Sequence, residues 1–157
     1  MLVRLYALPD VQAALARART SGVDVRRAEA FERAPVVDWV RTTFSPRWVD
    51  EVAVAFASQP PSCFIAVRDG MLAGFACHDC TRRNFFGPAG VSDDERGRGI
   101  GAALTLAALD AMRTAGYAYA IIGGVGPQDF YSHVAGATLI DGSTPGIYGA
   151  QLLRAGP

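Results

Sequence analysis

The sequence predicts an α/β protein of the α+β type, in which helices flank a mixed, largely antiparallel twisted sheet. Three observations predict this fold class. Apolar residues recur at helical spacing before residue 60 and then alternate at strand spacing from Cys63 onward. Arg68-Asp69-Gly70 provides a tight turn between two such strands. A glycine-rich turn at 96–101 then joins a strand to a long helix and a further apolar strand, which is the order of a βαβ crossover.

The first half of the chain is predicted to contain two strands and three helices. Proline, glycine, serine and aspartate set the boundaries, because these residues start, end or interrupt helices. The predicted elements are a strand over Leu2–Leu8, a helix from Pro9-Asp10 to Ser21-Gly22, a strand over Val23–Ala28, a helix from about Pro35, and a helix from Ser45-Pro46 that stops at Gln59-Pro60-Pro61.

The second half is predicted to be rich in strands. The predicted elements are strands over Cys63–Val67, Met71–His78 and Phe85–Val91, a helix over Ala102–Ala115, a strand over Tyr117–Ile122, a helix over Pro127–Val134, and closing strands over Ala137–Ile140 and Ile147–Leu152. The third of these strands contains Gly87-Pro88-Ala89-Gly90. Proline and glycine fit poorly in a regular central strand, so they predict a bulge or a close approach of a ligand to the backbone.

The composition restricts the class of protein. The 157 residues suffice for one domain with its own core. Half of them are hydrophobic and the formal net charge is zero, which argues against a nucleic-acid-binding protein. All fifteen basic residues are arginine, so the lysine that a Walker-type phosphate loop or a pyridoxal enzyme requires is missing. Without a signal-peptide pattern, a membrane-spanning run or a disulfide framework, we expect a cytoplasmic protein.

The segment Arg96-Gly97-Arg98-Gly99-Ile100-Gly101 is the strongest functional signal. Glycines let backbone N–H groups approach a ligand, the start of the next helix adds unpaired N–H groups, and the arginines add positive charge. These properties predict a site for phosphate or pyrophosphate. A nicotinamide or flavin site is rejected, because the turn lies well into the chain and the next strand, Tyr117–Ile122, lacks the acidic residue that such sites use.

Two motifs in this sequence point to a known family. Arg96, Gly99 and Gly101 match the pattern Arg/Gln-x-x-Gly-x-Gly/Ala, and with the strand before them and the helix after them they resemble the acetyl-CoA site of the GNAT N-acetyltransferases. The segment from Phe130 to Ala137 is similar to the short helix of that family, which has a tyrosine near its start. The resemblance extends from about residue 23 to residue 152, over most of the chain.

The resemblance implies a fold and a co-substrate. It implies a single N-acetyltransferase domain over 1–157, with a core over 23–152, an extra strand and helix in 1–22, and a splayed pair of central strands. It implies that acetyl-CoA binds without a metal ion and that its pantetheine arm pairs with the strand near Val91. Its pyrophosphate would be held by the backbone of Arg96, Gly97, Arg98, Gly99, Ile100, Gly101 and Ala102.

The resemblance also implies a catalytic acid but leaves the base open. Tyr131 is the expected general acid, which protonates the departing thiolate; packing under the sheet is the alternative role for this aromatic residue. Many family members carry a glutamate on the strand before the glycine turn, whereas Phe85–Val91 contains no acid. His78 and Asp79 are candidate bases by proximity in sequence only. The asparagine that often precedes the tyrosine is lost here or replaced by Gln128.

Two further features border these motifs. Cys77 and Cys80 form a Cys-x-x-Cys pair, but a zinc site would need a second pair of ligands and a redox pair normally opens a helix, so neither role is favoured. Trp39, Phe44 and Trp48 lie in a region that commonly borders the acceptor pocket in GNAT enzymes, and core packing is the alternative for at least one tryptophan.

The sequence therefore predicts an acetyl-CoA-dependent N-acetyltransferase that acts on a primary amine by direct attack. The missing base leaves open a non-catalytic acyl-CoA-binding module on the same fold. A structural protein whose glycine turn is only a helix entry is the third alternative. The acceptor is a small-molecule or peptide amine of unspecified identity. Neither nucleic acid nor a membrane is expected as a partner, and the resemblance leads us to expect a homodimer.

Overall fold

The computed structural model describes residues 1–149 and contains one six-stranded sheet, which confirms the predicted fold class. Its strands are β1 (Leu2–Arg4), β2 (Asp24–Arg27), β3 (Cys63–Arg68), β4 (Met71–His78), β5 (Phe85–Val91) and β6 (Tyr119–Ile122). They lie in the order β1-β6-β5-β4-β3-β2. Every neighbouring pair is antiparallel except β5 and β6, which run parallel as the predicted crossover requires.

Five α-helices of the described residues pack on this sheet. They are α1 (Val11–Thr20), α2 (Arg33–Thr43), α3 (Pro46–Ala55), α4 (Ile100–Thr114) and α5 (Gln128–Ala135). The predicted start signals act as expected, since the side chain of Asp10 accepts a hydrogen bond from the backbone of Ala13 and Pro46 is the first residue of α3. Helix α3 ends at Ala55, before the predicted stop at Gln59-Pro60-Pro61. Within residues 1–149, no helix has the length and apolarity needed to cross a bilayer.

The helices divide between two buried clusters. Phe64 and Ile65 are neighbours on β3 but belong to different clusters, because successive strand residues point to opposite faces of a sheet. One cluster contains the inward faces of α1, α4 and α5. The other contains α2 and α3, where Phe75 is fully buried with Trp39, Phe44 and Trp48 around it at ring-centroid distances of 5.6–6.3 Å. The sheet thus separates two cores, and both tryptophans of the chain pack in the one formed with α2 and α3.

The N-terminal strand is shorter than predicted. Only Leu2–Arg4 pairs with β6, and Leu5–Ala7 forms a 3₁₀ turn instead of continuing the strand predicted over Leu2–Leu8. Strand β6 begins at Tyr119, so Arg4 is the last residue that finds a ladder partner. The chain then turns to bury Leu5 and to reach the start of α1.

The two predicted closing strands are wrong as far as the described residues extend. In Ala137–Ile140 only Thr138 forms a bridge, to Leu2, because β1 occupies the free edge of β6. The strand predicted over Ile147–Leu152 begins instead within a 3₁₀ turn, Gly146–Tyr148, and its last residues, 150–152, lie outside the described part of the chain. The edge of β6 that β5 does not cover is therefore paired with the N-terminal strand β1.

Candidate functional site

The glycine turn has the backbone conformation that its sequence predicts. Gly97 and Gly99 have φ values of +77° and +79°, in the left-handed region that residues with a Cβ rarely adopt. Gly99 is the residue before α4, and its carbonyl accepts the first helical hydrogen bond, from Ala103. The N–H groups of Ile100, Gly101 and Ala102 consequently have no carbonyl partner within the helix, and no side chain among residues 1–149 caps them.

The arginines of the turn are held by acidic residues beside them. Arg96 Nη2 lies 2.8 Å from Asp93 Oδ1, and both side chains are largely exposed. Arg98 Nε lies 3.5 Å from Glu95 Oε2, which also accepts a hydrogen bond of 2.7 Å from Arg68 at the end of β3. The acidic stretch therefore anchors the turn to the sheet and orients its arginines at the surface.

Gly101 brings the two sequence motifs into contact. A Cβ placed on Gly101 would lie 3.4 Å from Phe130 Cζ on α5 and 3.7 Å from Val91 Cγ2 at the end of β5. The small residue at this position lets the start of α4 approach both elements closely. The glycine turn, the end of β5 and the short helix predicted to carry the catalytic tyrosine thus form one continuous site.

Strands β5 and β6 separate after a short paired region. Their ladder consists of the pairs Phe85–Ile121 and Phe86–Ile122, after which β6 ends and β5 continues to Val91. The register of β5 against β4 shifts between Ala76 and His78, which places a bulge at the predicted Gly87-Pro88 segment. Among residues 1–149, the edge of β5 beyond Phe86 therefore has no strand beside it, as the resemblance implied.

The backbone of Val91 faces this open edge. Ser92 donates a backbone hydrogen bond of 3.0 Å to the carbonyl of Ala73 on β4. Bonded and non-bonded pairs alternate along an antiparallel ladder, so the next pair, Gly74–Val91, is a non-hydrogen-bonded one. The N–H and carbonyl of Val91 consequently point away from β4 and into the gap between β5 and β6.

A cavity of about 270 Å³ lies where the two strands part. One wall comes from the bulged part of β5 and the opposite wall from the glycine-rich loop after β6. The remaining lining comes from α3, α5, the segment after β4 and the 3₁₀ turn near residue 148. The lining residues are Trp48, Glu51, Thr81, Phe86, Gly87, Pro88, Ala89, Ile122, Gly123, Gly124, Val125, Gly126, Pro127, Tyr131 and Tyr148.

Tyr131 lines this cavity from α5. Its ring packs edge-on against Phe86, with centroids 5.9 Å apart, and against Phe130 at 5.0 Å. Burial raises the pKa of Tyr131 above its ordinary value. Its hydroxyl has no hydrogen-bond partner among residues 1–149. The side chain is therefore fixed by packing, while its protonated hydroxyl remains available to a bound molecule, and its role as general acid stays a prediction.

Glu51 is the one charged residue among the described cavity residues, and the sequence did not single it out. Its carboxylate accepts a hydrogen bond from the hydroxyl of Thr81, just beyond β4. Tyr148 lies next to both residues. Burial raises the pKa of Tyr148, the Glu51 carboxylate raises it further, and the nearby Thr81 hydroxyl opposes this rise. The only feature of the sequence that could have pointed to Glu51 was its spacing, because Glu51 lies one helical turn after Trp48 and on the same face of α3. That spacing does not tell which cavity the face borders.

The two residues proposed as bases from sequence proximity do not line the cavity. His78 is buried, and its Nδ1 lies 2.9 Å from Asp79 Oδ2. The other carboxylate oxygen of Asp79 accepts a hydrogen bond of 2.7 Å from the backbone of Asn84, which stabilises the turn into β5. Burial lowers the pKa of His78, and Asp79 offsets part of this change. Both residues organise a turn, and Gln128 is exposed outside the cavity.

The cysteines lie behind the site. Cys63 and Cys77 are cross-strand partners with no exposed surface, and Cys80 follows at the end of β4. Burial, with smaller effects from the thiols of Cys63 and Cys80, raises the pKa of the Cys77 thiol well above its usual value. Among the described residues, no group of three His, Cys, Asp or Glu side chains is arranged to bind a metal ion.

Comparison with known proteins relates this architecture to one family. The family model described as "Acetyltransferase (GNAT) family" matches residues 28–133, which include β5, the glycine turn, α4, β6 and Tyr131. A search of the curated proteins finds no significant match to this sequence.

Two solved structures share the fold. One is a GCN5-related glucosamine N-acetyltransferase region of a fungal multi-domain GH3 β-N-acetylglucosaminidase, with a TM-score of 0.69 at 17% identity over 85% of this chain and 19% of that one. The other is a GCN5-related N-acetyltransferase from Sphaerobacter thermophilus, with a TM-score of 0.58 at 19% identity over 72% of this chain and 40% of that one. This chain therefore corresponds to less than half the length of either protein.

Proposed function

Because the chain belongs to the GNAT acetyltransferase family, we propose that it transfers the acetyl group of acetyl-CoA to a primary amine. The amine attacks the thioester directly. The observation that carries this proposal is the separation of β5 from β6, which leaves an open strand edge and a cavity next to the glycine turn. An extended pantetheine arm needs such an edge, and an acceptor needs the space beside it.

The residues of the glycine turn fit the pyrophosphate of this co-substrate. In the proposal, the backbone from Arg96 to Ala102 holds the phosphates, with the unpaired N–H groups at the start of α4 as the main donors. Gly97, Gly99 and Gly101 keep Cβ atoms out of this surface, and Arg98 contributes charge. The backbone of Val91 pairs with the pantetheine arm, and its N–H polarises the thioester carbonyl as an oxyanion donor does.

Tyr131 is the proposed general acid. The reaction expels a thiolate, which the phenol hydroxyl protonates as the carbon–sulfur bond breaks. Its location on the cavity wall, the packing of its ring against Phe86 and its raised pKa support this role, since the hydroxyl remains protonated at neutral pH. These features also favour turnover over the non-catalytic binding module, which would not need an unpaired acid beside the open strand edge.

Ligand stabilisation and turnover test this proposal separately. We expect CoA and acetyl-CoA, at about 100 times their dissociation constant, to raise the Tm of the protein by roughly 5–10 °C. We also expect thiol release from acetyl-CoA in the presence of some amines of a panel. The panel includes glucosamine, because the fungal region is named for that acceptor.

Each outcome has a distinct meaning. An unchanged Tm with both ligands would contradict the acyl-CoA site and leave the glycine turn as a helix entry. Stabilisation without thiol release across the whole panel would favour the non-catalytic module. Thiol release at the same rate with and without amine would identify a thioesterase instead of an N-acetyltransferase.

A further inference from the structure

One carboxylate lies in the lining of the cavity. Glu51 is the only charged side chain among the described residues that line it. The hydroxyl of Thr81 holds one of its carboxylate oxygens, Oε1, and so orients the group. The other oxygen has no hydrogen-bond donor among residues 1–149. A carboxylate in this state is suited to bind a cation or to accept a proton.

The surroundings of Glu51 are aromatic and apolar. Trp48 lies one helical turn earlier on α3, where it packs against Phe44 and Phe75 with ring centroids 5.5 Å and 6.0 Å apart. Tyr148 also lines the cavity near Glu51, and a Cβ on Gly123 would lie 2.5 Å from its hydroxyl oxygen. A cation bound by Glu51 would therefore lie among aromatic rings, which attract ammonium groups through their faces.

We infer that Glu51 binds the ammonium group of the acceptor and takes its proton, and that the acceptor is a primary alkylamine with an apolar or aromatic body and no adjacent carboxylate. The inference rests on the proposed acetyl transfer. It assigns the general base to helix α3 instead of the strand before the glycine turn, where the resemblance implied an acid and the sequence has none. An amino acid is disfavoured because its carboxylate would lie beside that of Glu51.

The proton and electron balance of this step is complete. The ammonium group gives one proton to Glu51, and the neutral nitrogen attacks the thioester carbonyl carbon. A carbon–nitrogen bond forms and the carbon–sulfur bond breaks. The thiolate takes the proton of Tyr131, and the second proton that the nitrogen loses restores the tyrosine. The proton on Glu51 passes to water, so that one proton is released for each acetyl group transferred.

Glu51→Gln tests the role of the carboxylate. The amide oxygen of glutamine still accepts the hydrogen bond from Thr81, so the variant removes charge and basicity with little change in shape. At pH 7 we expect kcat/KM for phenethylamine to fall by about 10²–10⁴-fold, while the affinity for CoA stays unchanged. Asp50→Asn is the matched control, because Asp50 is the exposed neighbour of Glu51 on the same helix and lies outside the cavity.

The pH profile separates a base from a structural residue. The other titratable groups of the cavity are the phenols Tyr131 and Tyr148, and burial raises the pKa of both. We therefore expect the loss of kcat/KM in Glu51→Gln to become smaller as the pH rises towards the pKa of the amine. At higher pH a larger fraction of the acceptor binds as the neutral amine, which needs no base. A deficit that is the same at every pH would contradict the role of Glu51 as base, as would wild-type kcat/KM in the variant.

Matched substrates test the acceptor class on the unaltered protein. We expect phenethylamine to be used at least about tenfold better than phenylalanine, and tryptamine better than tryptophan by a similar factor, because like charges in contact are strongly unfavourable. Equal or better use of the amino acids would overturn the inference even if Glu51→Gln failed to fold.

Binding measurements distinguish this inference from the proposed function. Each amine is titrated into the wild-type protein saturated with CoA, and binding that weakens in Glu51→Gln supports the ammonium site. If CoA binds but none of the apolar amines does, the inference about Glu51 is wrong while the acyl-CoA site stands. If CoA itself fails to bind, the proposed function is wrong, and the inference that rests on it is wrong as well.

Discussion

The glycine turn and the cavity beside it are built in opposite ways. The turn consists of consecutive residues at the surface and uses backbone groups, and the side chain of Arg96 within it is 66% exposed. The cavity is half-enclosed, and it is lined by side chains from α3, from α5 and from two loops that are distant in sequence. Binding of an anion needs only a local backbone shape, whereas proton transfer needs groups placed together by the whole fold. Changes in the turn should therefore affect ligand affinity, and changes in the cavity should affect rate.

The largest effect is expected for the cavity variant Tyr131→Phe. The ring keeps its packing against Phe86 and Phe130, and loss of the hydroxyl leaves no described polar group without its partner, so stability and CoA affinity should stay unchanged. The rate constant kcat should fall by about 10²–10⁴-fold, because the general acid is lost. Steady-state kinetics with calorimetric CoA titration would measure both.

The pH dependence sharpens this prediction. Burial raises the pKa of Tyr131 above the ordinary tyrosine value of about 10, so the loss of kcat that its ionisation causes should begin at a higher pH than for an exposed tyrosine. Tyr6→Phe is the matched control, since Tyr6 is an exposed tyrosine that packs on Tyr119 away from the cavity. A Tyr131→Phe variant with wild-type kcat would remove Tyr131 from the chemistry.

A smaller effect, on affinity instead of rate, is expected for Gly99→Val in the turn. The φ of +79° strains a β-branched residue, and the added side chain stands at the start of α4 where the N–H donors converge. The dissociation constant of CoA should rise by at least about tenfold, the cost of one hydrogen bond to a charged group.

The control for this variant is Gly22→Val. Gly22, at the end of α1, has a φ of +77° and open space around its Cβ position, as Gly99 does, but it lies outside the site. Both variants should lose similar stability in thermal unfolding, and only Gly99→Val should lose CoA affinity. Equal affinities in the two variants would mean that the turn does not hold the ligand.

The smallest effect is expected for Arg96→Ala. The Arg96–Asp93 pair is solvent-exposed, and such pairs contribute about 0–1 kcal/mol to stability, so the Tm should barely change. CoA affinity should fall only a few-fold, and the remaining affinity should depend less on salt, because one screened charge is gone.

Arg41→Ala is the control for Arg96→Ala, since Arg41 forms a comparable exposed pair with Asp38 on α2. If Arg96→Ala lost nearly all affinity for CoA, the arginine side chain, and not the backbone of the turn, would hold the phosphates.

The sequence predicted what depends on local patterns. The alternation in Cys63–Val67 and Met71–His78, the turn between them and the crossover after Val91 were sufficient for the fold class, because strand and helix periods are local properties. Gly87-Pro88 predicted the bulge for the same reason. The closing strands were predicted wrongly, since an apolar run does not reveal that β1 already occupies the edge of β6.

The residues of the candidate site also fall into two groups, those predictable from local sequence and those placed by tertiary packing. The sequence by itself determined the glycine turn and the helix that carries Tyr131, because each is a short segment whose backbone conformation its own residues dictate. Only the tertiary structure decided that Glu51 and Thr81 line the same cavity as Tyr131, and that His78 and Asp79 do not. Which side chains share a cavity depends on how helices pack across a sheet. That packing is fixed by contacts between residues far apart in the chain, which no local pattern encodes.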